Sequence, residues 1–462
     1  MKYLSTRGQS EPRSFMQAVV EGLADDGGLL VPQFFPDLSK DLNRLKKLNF
    51  QELALEIFLP FIDGELDELT IKKLIEKSYK TFDSKDVTPV RQIGQVTLLE
   101  LFHGPTLAFK DIALQFLGNL FESIVAQGDE PFNILGATSG DTGSAAIHSI
   151  RGRKGITIFM LHPLGKISPI QEKQMTTVLD DNVVNIAIEG TFDDAQGIVK
   201  EIFNDQRFKH QYRLGAVNSI NWARVMAQII YYFYVVFRFQ DLHPDDPIAI
   251  SVPTGNFGNI YAGYVARKMG LPINKLILAT NENDILYRTI KSGTYKIKEV
   301  VATYSPSMDI QVSSNFERFL FDILGNDGQK VCRNMNALQA NGEFSLNAEQ
   351  LELAQEVFLP VRVDTEETFS VINRYLENGT LLDPHTAVGV AAGEVSGFPK
   401  YISLATAHPA KFGEAVLKAT GKEPPIPGAL QGIMEKESKC EVVSNHSREV
   451  KKLIEKKLSK LR

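Results

Sequence analysis

The stretch Phe132-Asn-Ile-Leu-Gly-Ala-Thr-Ser-Gly-Asp-Thr-Gly143, continued by Ser144-Ala-Ala-Ile-His-Ser-Ile150 and then by Ile156-Thr-Ile-Phe-Met-Leu161, decides the fold. A short apolar run closed by turn residues predicts a buried strand over 132–137. The residues after Gly143 predict a helix over 144–151, and the next apolar run predicts a strand over 156–161. Strand, helix and strand in that rhythm form a βαβ unit, and such units build parallel sheets. The rhythm continues outward with a helix over 168–179, a strand over 183–188 and a helix over 193–203. An aromatic-rich, all-round apolar helix is predicted over 222–240, then a strand over 248–252, a helix over 259–269 and a strand over 275–280. Residues 281–350 show weaker periodicity and several turn signals, and no element is assigned there. Order returns with a helix over 365–376, a helix starting near Pro384-His385-Thr386, and a strand over 401–406. The expected fold class is α/β.

The two ends differ from this middle. Helices are predicted over 15–23, 51–59 and 66–79, with Pro32, Pro36 and Pro60 punctuating them, and a further helix over 112–127 opens the middle part after Lys110. Charge, Pro89 and Gly94 interrupt the pattern near 82–92, so residues 1–85 are read as an appended, mostly helical domain. A main domain over 86–430 follows, with a helical tail over 431–462. In that tail the lysine-rich segment 447–462 carries Leu453, Ile454 and Leu458 on one face, which reads as a solvated terminal helix before a polyanion patch.

Composition narrows the function. The 462 residues suffice for two or three domains, and 43% hydrophobic with 23% charged residues is ordinary for a globular chain. No apolar run approaches the roughly 18 residues of a membrane span, and the first residues lack a secretory signal's hydrophobic core, so a cytoplasmic location and no membrane partner are expected. Cys332 and Cys440 make neither a disulfide framework nor a zinc site. A net charge of -6 speaks against a nucleic-acid partner. His-Glu-x-x-His and Gly-x-Ser-x-Gly are both absent, so no metal, metalloprotease or serine-hydrolase site is expected.

Six segments could carry chemistry. In Leu98-Leu-Glu-Leu-Phe-His-Gly-Pro-Thr-Leu-Ala-Phe-Lys110-Asp111 a lysine stands among apolar residues before a helix. Desolvation favours the neutral amine there and prepares it to form a Schiff base; the plain alternative is a lysine snorkelling to solvent. In Ser251-Val-Pro-Thr-Gly255-Asn256-Phe257-Gly258-Asn259, Gly and Asn tolerate positive φ, so successive amides can form an anion nest at a helix start. It matches neither the Walker nor the Rossmann pattern, and a tight strand-to-helix turn explains it equally. Ser139, Gly140, Asp141 and Thr142 stack hydroxyls, amides and a carboxylate at a strand's C-terminal edge, where α/β proteins bind ligands; a capped helix start competes. Thr406 ends a strand and can hydrogen-bond a heteroaromatic nitrogen. Lys166 and Ser168 follow another strand, and Ser219 and Arg224 flank a helix start whose dipole disfavours a cation unless an anion is present. A salt bridge is the ordinary alternative for Arg224. A lysine, a phosphate nest and a strand-end hydroxyl together suit pyridoxal 5'-phosphate, which needs all three.

The segments 101–111, 137–143, 165–173, 252–259 and 405–412, with the opening Tyr3-Leu-Ser-Thr-Arg and Gly27-Gly-Leu-Leu-Val-Pro32, resemble the threonine synthase family of the long bacterial and fungal type. They occur in the family's order and span most of the chain. The resemblance implies fold type II of the pyridoxal-phosphate enzymes, like the tryptophan synthase β chain. It would have two parallel-sheet subdomains, the smaller and mobile one near 115–215, with the cofactor in the cleft between them. Lys110 would be the Schiff-base lysine, residues Gly255 to Asn259 would hold the phosphate, and Thr406 would face the pyridine nitrogen and leave it largely unprotonated. Ser139, Gly140, Asp141 and Thr142 would take the substrate carboxylate or phosphoryl group. Ser219 and Arg224 would bind phosphoryl oxygens, as would Lys166 and Ser168. Asp141 stands where the shorter branch of the family has Asn, so no contact with the cofactor's phenolic oxygen is assigned to it. Ala405 replaces a frequent Gly, a packing variant. The implied reaction turns O-phospho-L-homoserine and water into L-threonine and phosphate, in a monomer or homodimer. A serine or threonine dehydratase of the same fold, or a non-catalytic ligand-binding homologue, is the alternative.

Overall fold

The computed structural model describes residues 1–128 and 131–461. The chain forms two compact units, Met1–Ala113 with Ser219–Pro425, and Leu114–Asn218 with Ile426–Arg462. The first is built on a six-stranded sheet in the order Phe358–Arg362, Lys275–Thr280, Ala249–Pro253, Tyr401–Ala405, Val96–Glu100, Val90–Ile93. All neighbours are parallel except the last pair, an antiparallel hairpin. The three central strands are buried along their whole length. That is why they read as continuous apolar runs rather than alternating ones. Helix Trp222–Leu242 is buried around almost its entire circumference, the burial its all-round apolar sequence predicts.

Residues 1–85 do not separate as their own unit. Arg318, 0% exposed, gives the physical reason: its guanidinium donates to Leu30 O at 3.2 and 2.9 Å, to Ile220 O, and to Asn315 Oδ1. The Thr6 hydroxyl and Arg7 both bond the Glu317 carboxylate, Asn221 Nδ2 donates to Val19 O at 2.7 Å, and Tyr3 and Phe61 pack on Trp222. An Arg318→Met variant would leave Leu30 O and Ile220 O buried without donors. It is expected to lose about 3 kcal/mol in urea unfolding, since each unsatisfied buried group costs about 1–3 kcal/mol.

The second unit carries a five-stranded, all-parallel sheet in the order Glu441–Val443, Val183–Ile188, Ile156–Pro163, Phe132–Ala137, Leu214–Gly215. The C-terminal residues are not a solvated tail. Glu441–Val443 pairs with Val183–Ile188, and helix Ser447–Leu461 buries Val450, Ile454 and Leu458 in the same core as Ile198, Ile202 and Phe208. The helix end predicted at Arg462 lies outside the described residues. The unassigned stretch 281–350 forms helices Ile285–Ser292, Phe316–Ile323 and Gly328–Asn341, with Thr294–Lys296 paired to Glu343–Ser345. No described helix is long and apolar enough to cross a membrane.

Candidate active site

Three neighbouring strands of the first unit, Ala249–Pro253, Tyr401–Ala405 and Val96–Glu100, run parallel and so end on one edge of the sheet. The residues that follow them are the 254–258 turn, Thr406, and the loop leading to Lys110. Ligands in open α/β sheets bind at such carboxyl ends.

Lys110 is the first residue of helix Lys110–Ala126, two residues earlier than the predicted helix start, and is 8% exposed. Its Nζ lies 5.1 Å from the centre of the Phe109 ring. The loop before it is stitched to the end of the 401–405 strand. Leu101 N–H donates to Ala405 O, Phe109 N–H to Thr406 O at 2.8 Å, and His408 N–H to Leu107 O, with a bridge between Ala108 and Ala407. Two residues nearly 300 positions apart are thus held side by side.

Asp111 is 0% exposed and accepts from Thr106 N–H at 2.8 Å and the Thr106 hydroxyl at 2.7 Å. The buried Lys411 donates to Thr106 O at 2.7 Å. Burial pushes the Asp111 carboxyl up to about 6, against the Thr106 bonds and the Lys411 charge. The folded state therefore favours the protonated acid. The stability this contributes is complete below the ordinary value of 3.8 and is lost as pH rises through about 6. Relative to a non-titrating Asp111→Asn variant, the wild-type chain should lose urea stability between pH 4 and 6 and level off above that. Parallel curves across this window would contradict the assignment.

The 254–258 turn is braced from behind. Gly255 O accepts from the Ser313 hydroxyl at 2.7 Å, and Asn256 O accepts from Asn315 N–H and Nδ2. The amides of residues 255–258 find no acceptor among the described residues. A Cβ on Gly255 would lie 2.6 Å from Ser307 O, so only glycine fits. Positive φ, expected at Gly or Asn, falls instead on Phe257 (φ 61°), the N-cap of helix Gly258–Lys268. Its ring, buried among Phe316, Phe319 and Phe358, holds it there. Asn259 accepts from Tyr231 and Tyr232 hydroxyls, while its Nδ2 is buried with no hydrogen-bond partner. Free amides at a helix start and a buried donor suit a phosphate.

Ser219 joins this turn through Asn315 Nδ2, which donates to both Ser219 O and Asn256 O. Arg224 is 3% exposed, and burial brings its guanidinium down to about 10, with Tyr231 pulling the other way. Tyr231 in turn donates to Asn259 Oδ1 at 2.6 Å.

In the second unit the helix starts at Asp141, so Asp141 and Thr142 belong to its first turn rather than to a loop. Thr138 Oγ1 accepts from Gly140 and Gly143 N–H, Gly140 takes φ 141°, and Ser139 is exposed. Asp141 Oδ1 accepts from Gln171 Nε2 at 2.7 Å, and the Ser168 hydroxyl donates to Gln171 Oε1 at 3.1 Å. Gln171 was not singled out in the sequence, although Ser168-x-x-Gln171 is a helix-start pattern. Ser168 thus reaches Asp141 through Gln171, whereas Lys166 is exposed and faces Asp194, whose carboxyl is lowered mainly by its Thr191 hydrogen bonds and only in small part by the Lys166 charge. Asn315, Ser307 and Lys411 were also missed; only their position in space marks them.

Known proteins resemble the chain along its whole length. The family model "Pyridoxal-phosphate dependent enzyme" matches residues 87–333, "Threonine synthase N terminus" matches 2–79, and "Threonine synthase, C-terminal" matches 386–454. The chain is 46% identical to the threonine synthase of Pseudomonas aeruginosa over 98% of both sequences, and 44% identical to that of Saccharomyces cerevisiae over 100% and 98%. The crystal structure of the pyridoxal-phosphate-bound threonine synthase from Brucella melitensis superimposes with a TM-score of 0.95 at 44% identity over 99% of each chain. The yeast enzyme gives 0.94 at 44% identity, again over 99% of each chain. With a buried lysine, a strand-end threonine and an amide nest gathered on one sheet edge, and with relatives of this closeness along its whole length, the chain belongs to the threonine synthase family of pyridoxal-phosphate-dependent enzymes.

Proposed function

We propose that this threonine synthase acts on O-phospho-L-homoserine and water to form L-threonine and phosphate in the cytoplasm, with Lys110 as the residue that tethers the cofactor and moves protons. Pyridoxal phosphate, when bound, supplies an electron sink for negative charge developing on the substrate carbon next to the amine. The chain's residues do the rest. Lys110 takes a proton from Cα and one from Cβ and returns protons to carbon, phosphate departs from Cγ, and water adds at Cβ. The amides of Gly255, Asn256, Phe257 and Gly258, with Asn259, hold the cofactor's phosphate. The Thr406 hydroxyl serves its ring nitrogen.

Ser219 and Arg224 are proposed to bind the substrate's phosphoryl group, whose departing dianion a buried guanidinium would stabilise. The turn at Ser139, Gly140, Asp141 and Thr142 is proposed to take its carboxylate or phosphoryl group, with Ser168 acting through Gln171. Lys166, exposed beside Asp194, supports this role least.

The observation that carries the reading is the common edge of three adjacent parallel strands, from which the lysine loop, the hydroxyl and the nest all follow. Borohydride reduction of the holoenzyme and peptide mapping test it. A pyridoxyl label on the peptide containing Lys110 is expected, and a label on any other lysine would refute the assignment.

A further inference from the structure

Helix Pro384–Glu394 starts on Asp383, whose carboxylate is 1% exposed and receives four donors. Oδ1 accepts from His385 N–H at 3.0 Å and from His385 Nδ1 at 2.9 Å; Oδ2 accepts from Thr386 N–H at 3.3 Å and from the Thr386 hydroxyl. An N-cap accounts for the two backbone bonds. The two side-chain bonds go further, because each side chain holds something else.

His385 Nε2 lies 3.2 Å from Ser307 N. A backbone amide can only donate, so Nε2 accepts, Nδ1 carries the proton, and the imidazole is the neutral tautomer that donates to Asp383. Ser307 is the residue whose carbonyl backs Gly255, 2.6 Å from where a Cβ would be. The ring of His385 is fixed from the side by Phe412, with centroids 4.7 Å apart. The same loop is tied further along by Asp309, which accepts from Thr303 and from the Asn281 and Asn283 amides. On the other branch the Thr386 hydroxyl, having donated to Asp383, accepts from Thr406 N–H at 3.2 Å. One carboxylate therefore ends two chains of hydrogen bonds. One runs through His385 to the Ser307 amide, and the Ser307 carbonyl abuts the phosphate turn at Gly255 by close packing; the other runs through Thr386 to the strand end bearing the ring-nitrogen hydroxyl.

We infer that Asp383 is a positioning residue that sets the spacing between the Thr406 hydroxyl and the Gly255 turn, so that both ends of one cofactor are held at once. This rests on the cofactor site proposed above. A carboxylate is needed because each of its oxygens accepts a backbone N–H as well as a side-chain donor; an asparagine would set its own N–H against the backbone donor of one branch and reverse that branch's side-chain bond.

The test uses the holoenzyme with three readouts: cofactor affinity by titration after dialysis, the phosphorus NMR shift of the bound cofactor, and its visible absorption maximum. Asp383→Asn should weaken cofactor binding by about tenfold or more, as loss of supporting hydrogen bonds does at metal sites, and move both spectral signals. Thr386→Val should move the absorption band and leave the phosphorus shift, with Thr386→Ser restoring the band. His385→Phe should move the phosphorus shift and leave the band. The inference is overturned if Asp383→Asn loses thermal stability with neither signal moved, or if Thr386→Val and His385→Phe move both signals alike. Should Asp383→Asn fail to fold, the latter pair decides alone. Borohydride labelling of the wild type keeps the two levels apart: no label at Lys110 sinks the cofactor site itself, and with it this role, whereas a label with unmoved signals sinks only the role of Asp383.

Discussion

Replacing Lys110 by alanine is expected to lower kcat by about 10³-fold or more while leaving the fold intact, because the residue is proposed both to tether the cofactor and to carry protons, and acid-base transfer alone contributes about 10²–10⁴-fold. Alanine suits the first turn of helix Lys110–Ala126, and the ammonium near the Phe109 ring at 5.1 Å is a contact of about 0.5–1 kcal/mol. Phosphate release and thermal unfolding measured on the same preparation separate the two effects. Activity should vanish with the melting temperature nearly unchanged, borohydride should label no peptide at position 110, and a small primary amine should restore part of the proton transfer. A Lys110→Ala enzyme as active as the wild type would end the assignment.

Phe257→Ala should have the largest effect on stability. The ring is 1% exposed, with Phe316 and Phe358 each at 5.3 Å and Phe319 at 6.1 Å, and removing such a side chain costs about 3–5 kcal/mol. The backbone adds a sign that a core phenylalanine would not show. At φ 61° an L side chain is strained by about 1–2 kcal/mol, and alanine keeps that strain while glycine removes it. Phe257→Gly should therefore be the more stable of the two by about 1 kcal/mol in urea unfolding, the reverse of the usual preference for alanine. Both variants should also bind the cofactor more weakly, because the amides of the turn lose the ring that orients them.

Much of this architecture is visible in the residues because the central strands are buried on both faces. Phe132–Ala137 and Ala249–Pro253 announce themselves as apolar runs, and the turns that follow hold the polar residues the strands exclude. The edges are another matter. Glu441–Val443 is three residues long and Leu214–Gly215 two, too short for a period, so their place in the sheet depends on neighbours that sequence does not show. The stretch 281–350 is obscure for a related reason. Asn281, Asn283 and Asp309 read as turn residues, yet they satisfy one another in a buried network that fixes the loop behind Gly255. Backbone strain was equally hidden. Leu107 and Phe257 both take positive φ, a conformation their side chains disfavour and only the packing around them imposes. Lys110, Thr406 and the 255–259 turn were legible singly; that three adjacent strands deliver them to one edge was not.

The most direct test of the account follows the oxygen atoms. In water enriched in oxygen-18, the enzyme supplied with O-phospho-L-homoserine should cleave the bond between Cγ and oxygen. Phosphate should then carry none of the label, and each L-threonine should carry one labelled oxygen on Cβ. Labelled phosphate with homoserine as the product, or a keto acid formed without phosphate release, would contradict it.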